Sequence, residues 1–154
     1  MFESSSASFF AVEVASLAWP PDMRIASKYF RLFVAADTRD LSADQIGEFA
    51  ENALRKGMAY CCAWGPGCER FHDIVDEMIV IDQIGEQHFT SPTRHDTIMT
   101  TWHADETLEE ALDFFLRLAW PTPWYETESN SWIALSVANP EWTHVIRKQL
   151  DKQR

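Results

Sequence analysis

Cys68, His72 and His103 are the residues of this chain whose types and spacing come closest to catalytic chemistry. A thiol at the first turn of a helix meets free N–H groups and the positive end of the helix dipole, which lower the cost of a thiolate. His72 lies four residues on, about one helical turn, and His103 follows an apolar run that reads as a strand. A cysteine with an imidazole base suits acyl transfer or thiol chemistry. Glu69 opposes this, because a carboxylate beside the sulfur raises the cost of ionising it. A small, partly buried thiol at a tight turn is the plainer account of Cys68.

The same three side chains could supply the ligands of a catalytic zinc site. Only one of Cys61 and Cys62 could join them, since consecutive strand residues point to opposite faces. The chain has neither a Cys-x-x-Cys pair nor a His-Glu-x-x-His helix, so a solvated or hydrogen-bonded His72 is the simpler expectation. Asp37 and Asp105, with Asp40 or Glu69 nearby, could hold Mg²⁺ through oxygen ligands and serve phosphoryl transfer. However, Asp37-Thr38-Arg39-Asp40 lacks the Asp-x-Asp spacing of haloacid-dehalogenase-type phosphatases, and no lysine of the receiver-domain kind is evident. Acids at helix starts also stabilise the dipole without any metal.

Trp64-Gly65-Pro66-Gly67 is glycine-rich, yet it is neither Gly-x-Gly-x-x-Gly nor a Walker loop. Pro66 removes a backbone donor and Glu69 would repel a phosphate. A tight turn needing two glycines explains the loop better. A nucleotide base or sugar held between Trp64 and Trp102, with Gly65 and Gly67 in the same loop as Trp64, is the cofactor-binding option, and no particular cofactor is indicated.

These residues need elements to position them. Four apolar runs, Phe30–Ala36, Met58–Ala63, Thr97–Trp102 and Trp132–Val137, read as strands that alternate with four helical patterns. Ser42 with Gln45, and Thr107 with Glu110, make capping boxes. Gly57 marks a helix end, and Asn139-Pro140 a helix start. The second helix starts near Cys68, while Met78–Ile81 reads either as its continuation or as a short extended piece. Residues 85–95 read as loop. Residues 1–28 are the least legible segment; Phe10, Val12 and Val14 alternate as in a short edge strand packing on the α/β domain of residues 29–154.

The order predicts a single three-layer α/β domain with a mainly parallel sheet of four or five strands, flavodoxin-like or Rossmann-like. The expected order of the four clear strands is second, first, third, fourth. That order brings Asp37–Asp40 and His103–Glu106 to one crevice, with Trp64–Glu69 alongside.

Composition bounds the partners. The 154 residues carry a net charge of −11, and residues 141–154, with two acids and four bases, are locally positive. The remainder repels nucleic-acid backbones and anionic membranes and favours basic partners, metal cations or plain solubility. No uncharged apolar run approaches the roughly 18–20 residues of a membrane span. Glu3, Glu13 and the lack of an early base argue against a secretory signal. Three cysteines form no disulfide framework, so a reducing cytoplasm is the expected compartment. Seven tryptophans serve either core packing or interface anchoring. The functional expectation is an acidic binding or regulatory module for a basic protein, inhibitor- or immunity-like in charge and size. The alternative is an enzyme or ligand sensor using Asp37, Cys68, His72, His103 and Asp105 for Cys/His nucleophilic or metal-assisted hydrolytic chemistry.

Overall fold

A computed structural model of the protein describes residues 6–84 and 97–154. Five strands, β1 (Ser8–Val14), β2 (Phe30–Ala35), β3 (Met58–Trp64), β4 (Met99–Trp102) and β5 (Ser131–Val137), form one parallel sheet in the order β1-β5-β2-β3-β4. The helices are α1 (Ala43–Lys56), α2 (Cys68–Ile84), α3 (Leu108–Arg117), a single turn α4 (Pro123–Glu126) and α5 (Pro140–Asp151). The architecture is a three-layer, doubly wound α/β domain of the flavodoxin/Rossmann-like kind. Residues 85–95, read as loop from the sequence, lie outside the described residues.

Every residue of β2 is buried, as a strand between two helical layers requires, and all but Arg31 are apolar. Leu32 and Val34 point into one layer with Ile46, Phe49 and Phe71 of α1 and α2. Phe33 and Ala35 point into the other with Leu112, Phe115 and Ile146 of α3 and α5. Cys61 and Cys62 divide between the layers in the same way.

Local signals act where the side chains place them. Ser42 and Thr107 each accept the N3 backbone N–H while Gln45 and Glu110 reach back to the cap, and Asn139 Oδ1 accepts from Trp142 N at 3.1 Å. Met78–Ile81 continue α2.

The strand order differs from the expected one. The expected order places Thr97–Trp102 inside the sheet and Trp132–Val137 at its edge; the structure does the reverse. β5 pairs in register with both β1 and β2 and is almost wholly buried. β4 is four residues long, carries two threonines, and leaves Met99 and Trp102 exposed, so it tolerates an edge that β5 would not. Among the described residues β4 pairs with β3 alone.

One row crosses the whole sheet on the α3/α5 side: Phe9, Trp132, Arg31, Tyr60 and Met99 are successive register partners. Arg31 is buried, donates to the carbonyls of Ser129 and Ala119 at 3.1 and 3.0 Å, and lies 4.0 Å from the Trp132 ring centre and 5.0 Å from that of Trp120. Two carbonyls and two indole faces thus stand in for the water that burial removes.

Candidate functional site

The loops leaving β2 and β3 feed α1 and α2 in one layer, while those leaving β4 and β5 feed α3 and α5 in the other. Neighbouring loops therefore diverge at β3/β4 and at β2/β5, and such divergences open crevices at the carboxyl ends of parallel strands. At β3/β4 the crevice is a cleft of about 550 Å³, walled by residues Trp64 to Glu69, by Ala104 and Glu106, and by Trp142 from α5.

The cleft floor is a tight turn. Gly65 has φ 110°, and a Cβ there would stand 2.2 Å from the Ala36 carbonyl oxygen. Gly67 has φ 82°, and its Cβ would meet Thr38 Oγ1 at 2.8 Å. The loop needs these glycines because it runs against the β2–α1 connection, where Thr38 N donates to the Pro66 carbonyl at 2.9 Å and Thr38 Oγ1 to that of Gly67 at 3.1 Å. Steric approach of two backbones accounts for them without a phosphate.

The walls are aromatic and acidic. The Trp64 and Trp142 rings lie edge to face, 5.1 Å apart at 85°. Trp64 Nε1 donates to the Glu106 carbonyl at 2.9 Å, which holds its ring in place. Glu69 and Glu106 supply carboxylates.

Cys68 lies in this cleft and is 3% exposed. Burial pushes its thiol up, against the pull of backbone N–H groups of His103, Cys68 and Glu69, and the Glu69 carboxylate adds to the rise. The helix start is there, but desolvation outweighs it.

The two imidazoles are engaged elsewhere. His72 Nδ1 donates to Asp73 Oδ1 at 3.0 Å, its Nε2 is 2.8 Å from Thr100 Oγ1, and the ring lies 4.5 Å from that of Trp102. His103 is buried; Nδ1 bonds the Glu106 carboxylate, Nε2 is 3.0 Å from Thr101 Oγ1, and Phe114 packs on the ring at 4.8 Å. Edge strand β4 therefore carries a carboxylate–histidine–threonine chain on each of its faces.

Asp37 and Asp105 are not brought to one crevice, a consequence of the corrected strand order. They follow β2 and β4, which lie on opposite sides of β3, so their loops start about 10 Å apart. Asp37 is gripped by its neighbour: Arg39 Nε and Nη2 donate to its two oxygens at 3.0 and 2.7 Å, and these bonds with that from the Arg39 amide hold its carboxyl below the usual range. Among the described residues no three His, Cys, Asp or Glu side chains gather as a metal site. Trp64 and Trp102 do not face each other either; Trp64 pairs with Trp142, and Trp102 with His72.

Sequence reasoning missed Trp142 as a wall of the cleft, because its helical spacing reads as core. It also missed Thr100 and Thr101 as the partners of the histidines, although alternation along a strand sends them to opposite faces.

Fold and cleft together define a three-layer α/β domain with a ligand-sized crevice where the winding of its sheet reverses. Residues 9–153 match the family described as a domain of unknown function, DUF7684, and the chain belongs to that family. No curated protein and no solved structure matches it.

Proposed function

We propose that this protein is a binding or regulatory module whose acidic face recognises a basic protein, in the manner of an inhibitor or immunity protein. The observation that carries this reading is where the charge lies. Residues 68–117 hold twelve acids against three bases, so −9 of the chain's −11 falls on one third of its length. Among the described residues that stretch comprises α2 in one helical layer, the edge strand β4, the β4–α3 turn, and α3 in the other layer, and carries ten acids against two bases. On that edge Trp102, on the α2 side of β4, is 45% exposed and Met99, on the α3 side, is 39% exposed, and Val80 and Ile81 of α2 are exposed as well. One exposed tryptophan with apolar neighbours among charged residues makes a recognisable protein-binding surface, in which the charges steer encounter and the apolar groups hold. The same charge disfavours nucleic acid and anionic membrane as partners. No helix among the described residues is long and apolar enough to cross a membrane. Three buried, unpaired cysteines suit a reducing cytoplasm.

The test is titration with an arginine-rich and a lysine-rich peptide at several salt concentrations. Binding is expected to weaken as salt rises, and Glu77→Lys with Glu109→Lys should reduce affinity about tenfold at low salt. The same charge change made away from this face, Glu13→Lys on the opposite edge strand β1 with Glu128→Lys just before β5, should cost much less. Equal losses from both pairs, or no binding at all, would overturn the proposal.

The second reading, an enzyme or ligand sensor, draws its support from the cleft beside Cys68, at a point where parallel sheets commonly hold ligands. Its nucleophile would be a buried thiol, and its proposed bases already have partners at both ring nitrogens.

A further inference from the structure

We propose that the cleft at the carboxyl ends of β3 and β4 takes one arginine side chain of the basic partner, its guanidinium lying on the Trp64–Trp142 corner between Glu69 and Glu106. This rests on the reading of the acidic face and specifies how that face recognises its partner.

The shape comes first. Two indoles at 85° form a corner, in which a flat group lying on the face of the ring that presents its edge is bounded at the side by the other ring. The corner is fixed from outside: Trp64 is tied to the Glu106 carbonyl, and Trp142 belongs to the capped first turn of α5. A volume of about 550 Å³ falls within the roughly 300–1,000 Å³ of small-ligand sites.

The chemistry selects a cation. Indole faces are negative and attract cations, and carboxylates at the rim add charge attraction. Glu69 stands exposed on the first turn of α2. Glu106 keeps one oxygen on His103 Nδ1, leaving its Oε1 without a hydrogen bond among the described residues. The basic groups nearest the loop are already committed. Arg39, whose stem passes Gly67, is forked onto Asp37, and Arg70 donates to the Leu41 carbonyl at 2.9 Å. An anion would meet two carboxylates, and Pro66 offers it no N–H. Among cations, guanidinium fits better than ammonium, because it is planar, stacks on indole, and can bond a carboxylate through two parallel N–H groups.

The experiment follows the indole N–H signals of Trp64 and Trp142 by NMR during titration with N-acetyl-arginine methylamide, its lysine counterpart, and the neutral citrulline counterpart. Saturable shifts are expected with the arginine compound, weaker ones with lysine, and none with citrulline. Glu69→Gln, at an exposed position, should weaken binding about five- to tenfold, and Trp142→Phe should weaken it comparably. Equal response to citrulline, or shifts unaffected by Glu69→Gln, would overturn the proposal. The arginine-rich peptide separates the two readings. If it binds with its salt dependence intact while Trp64 and Trp142 stay unmoved, the acidic-face reading stands and the arginine pocket falls. If the small compound binds but the peptide does not, the cleft is a site for a free guanidinium compound, and the partner reading falls with this proposal.

Discussion

At the scale of residues, the candidate chemistry is decided by which atoms each side chain already holds. His72 and His103 both have a carboxylate on Nδ1 and a threonine hydroxyl at Nε2. Spacing in the chain makes Asp73 and Glu106 obvious neighbours, but only β4 brings Thr100 and Thr101. Cys68 shows the competition of two effects at one atom. Its place on the first turn of α2 favours a thiolate, and its burial among cleft residues disfavours one more strongly. The expected consequence is slow chemistry. In the native protein at neutral pH, a disulfide reagent should modify Cys68 at least about tenfold more slowly than an unfolded thiol. The two rates are compared by following reagent absorbance in buffer and in urea. Rapid, stoichiometric modification of Cys68 alone in buffer would restore the nucleophile reading.

At the scale of elements, β3 carries a pH dependence that no single residue would suggest. Its consecutive residues Tyr60, Cys61 and Cys62 are all buried. Burial pushes the Tyr60 phenol up to about 12 and the Cys61 thiol from 9.0 to about 12, and it pushes Cys62 up as well. Groups raised in the folded state contribute stability that is whole below their unfolded values and is lost as pH rises toward the folded ones. That window opens at about pH 9 for the thiols. Arg31 opposes it: burial lowers its value to about 10, so it returns some stability only above that pH. Urea unfolding should therefore show a loss of about 2–3 kcal/mol between pH 8 and pH 10. Cys61→Ala should shrink that difference by about 1 kcal/mol, whatever it does to absolute stability. A flat profile would mean that β3 opens to solvent more readily than its packing implies. The same strand shows what was legible. Its apolar run and the turn after it are plain in the residues, as are both capping boxes, because strand pattern and caps depend on neighbours a few positions away. That Tyr60 would lie beside Arg31 and Met99 is not written there, since it depends on which strands become neighbours.

At the scale of the whole molecule, uneven charge is the dominant property. Self-repulsion within the −9 stretch destabilises the folded state, and salt screens it. Raising sodium chloride from about 0.05 to 0.5 M should raise the thermal midpoint by roughly 2–4 °C, equivalent to about 1 kcal/mol in a domain of this size. Glu77→Lys with Glu109→Lys, which brings the net charge from −11 to −7, should reduce that gain. If salt leaves the wild-type midpoint unchanged, the acids are too well solvated to repel one another, and steering of a basic partner loses its physical basis. By itself the sequence determined the alternation of strands and helices, their caps, the three-layer class and the acidic balance. Those follow from periodicity, hydrogen bonding within a turn and composition, all of which are local or additive. Only the tertiary structure decided that β5 enters between β1 and β2 and that β4 takes the edge. With that order, Asp37 parts from Asp105 and Trp142 comes to the wall beside Trp64. Strand neighbours are chosen by the total burial each arrangement achieves across distant parts of the chain, and no local pattern encodes that sum.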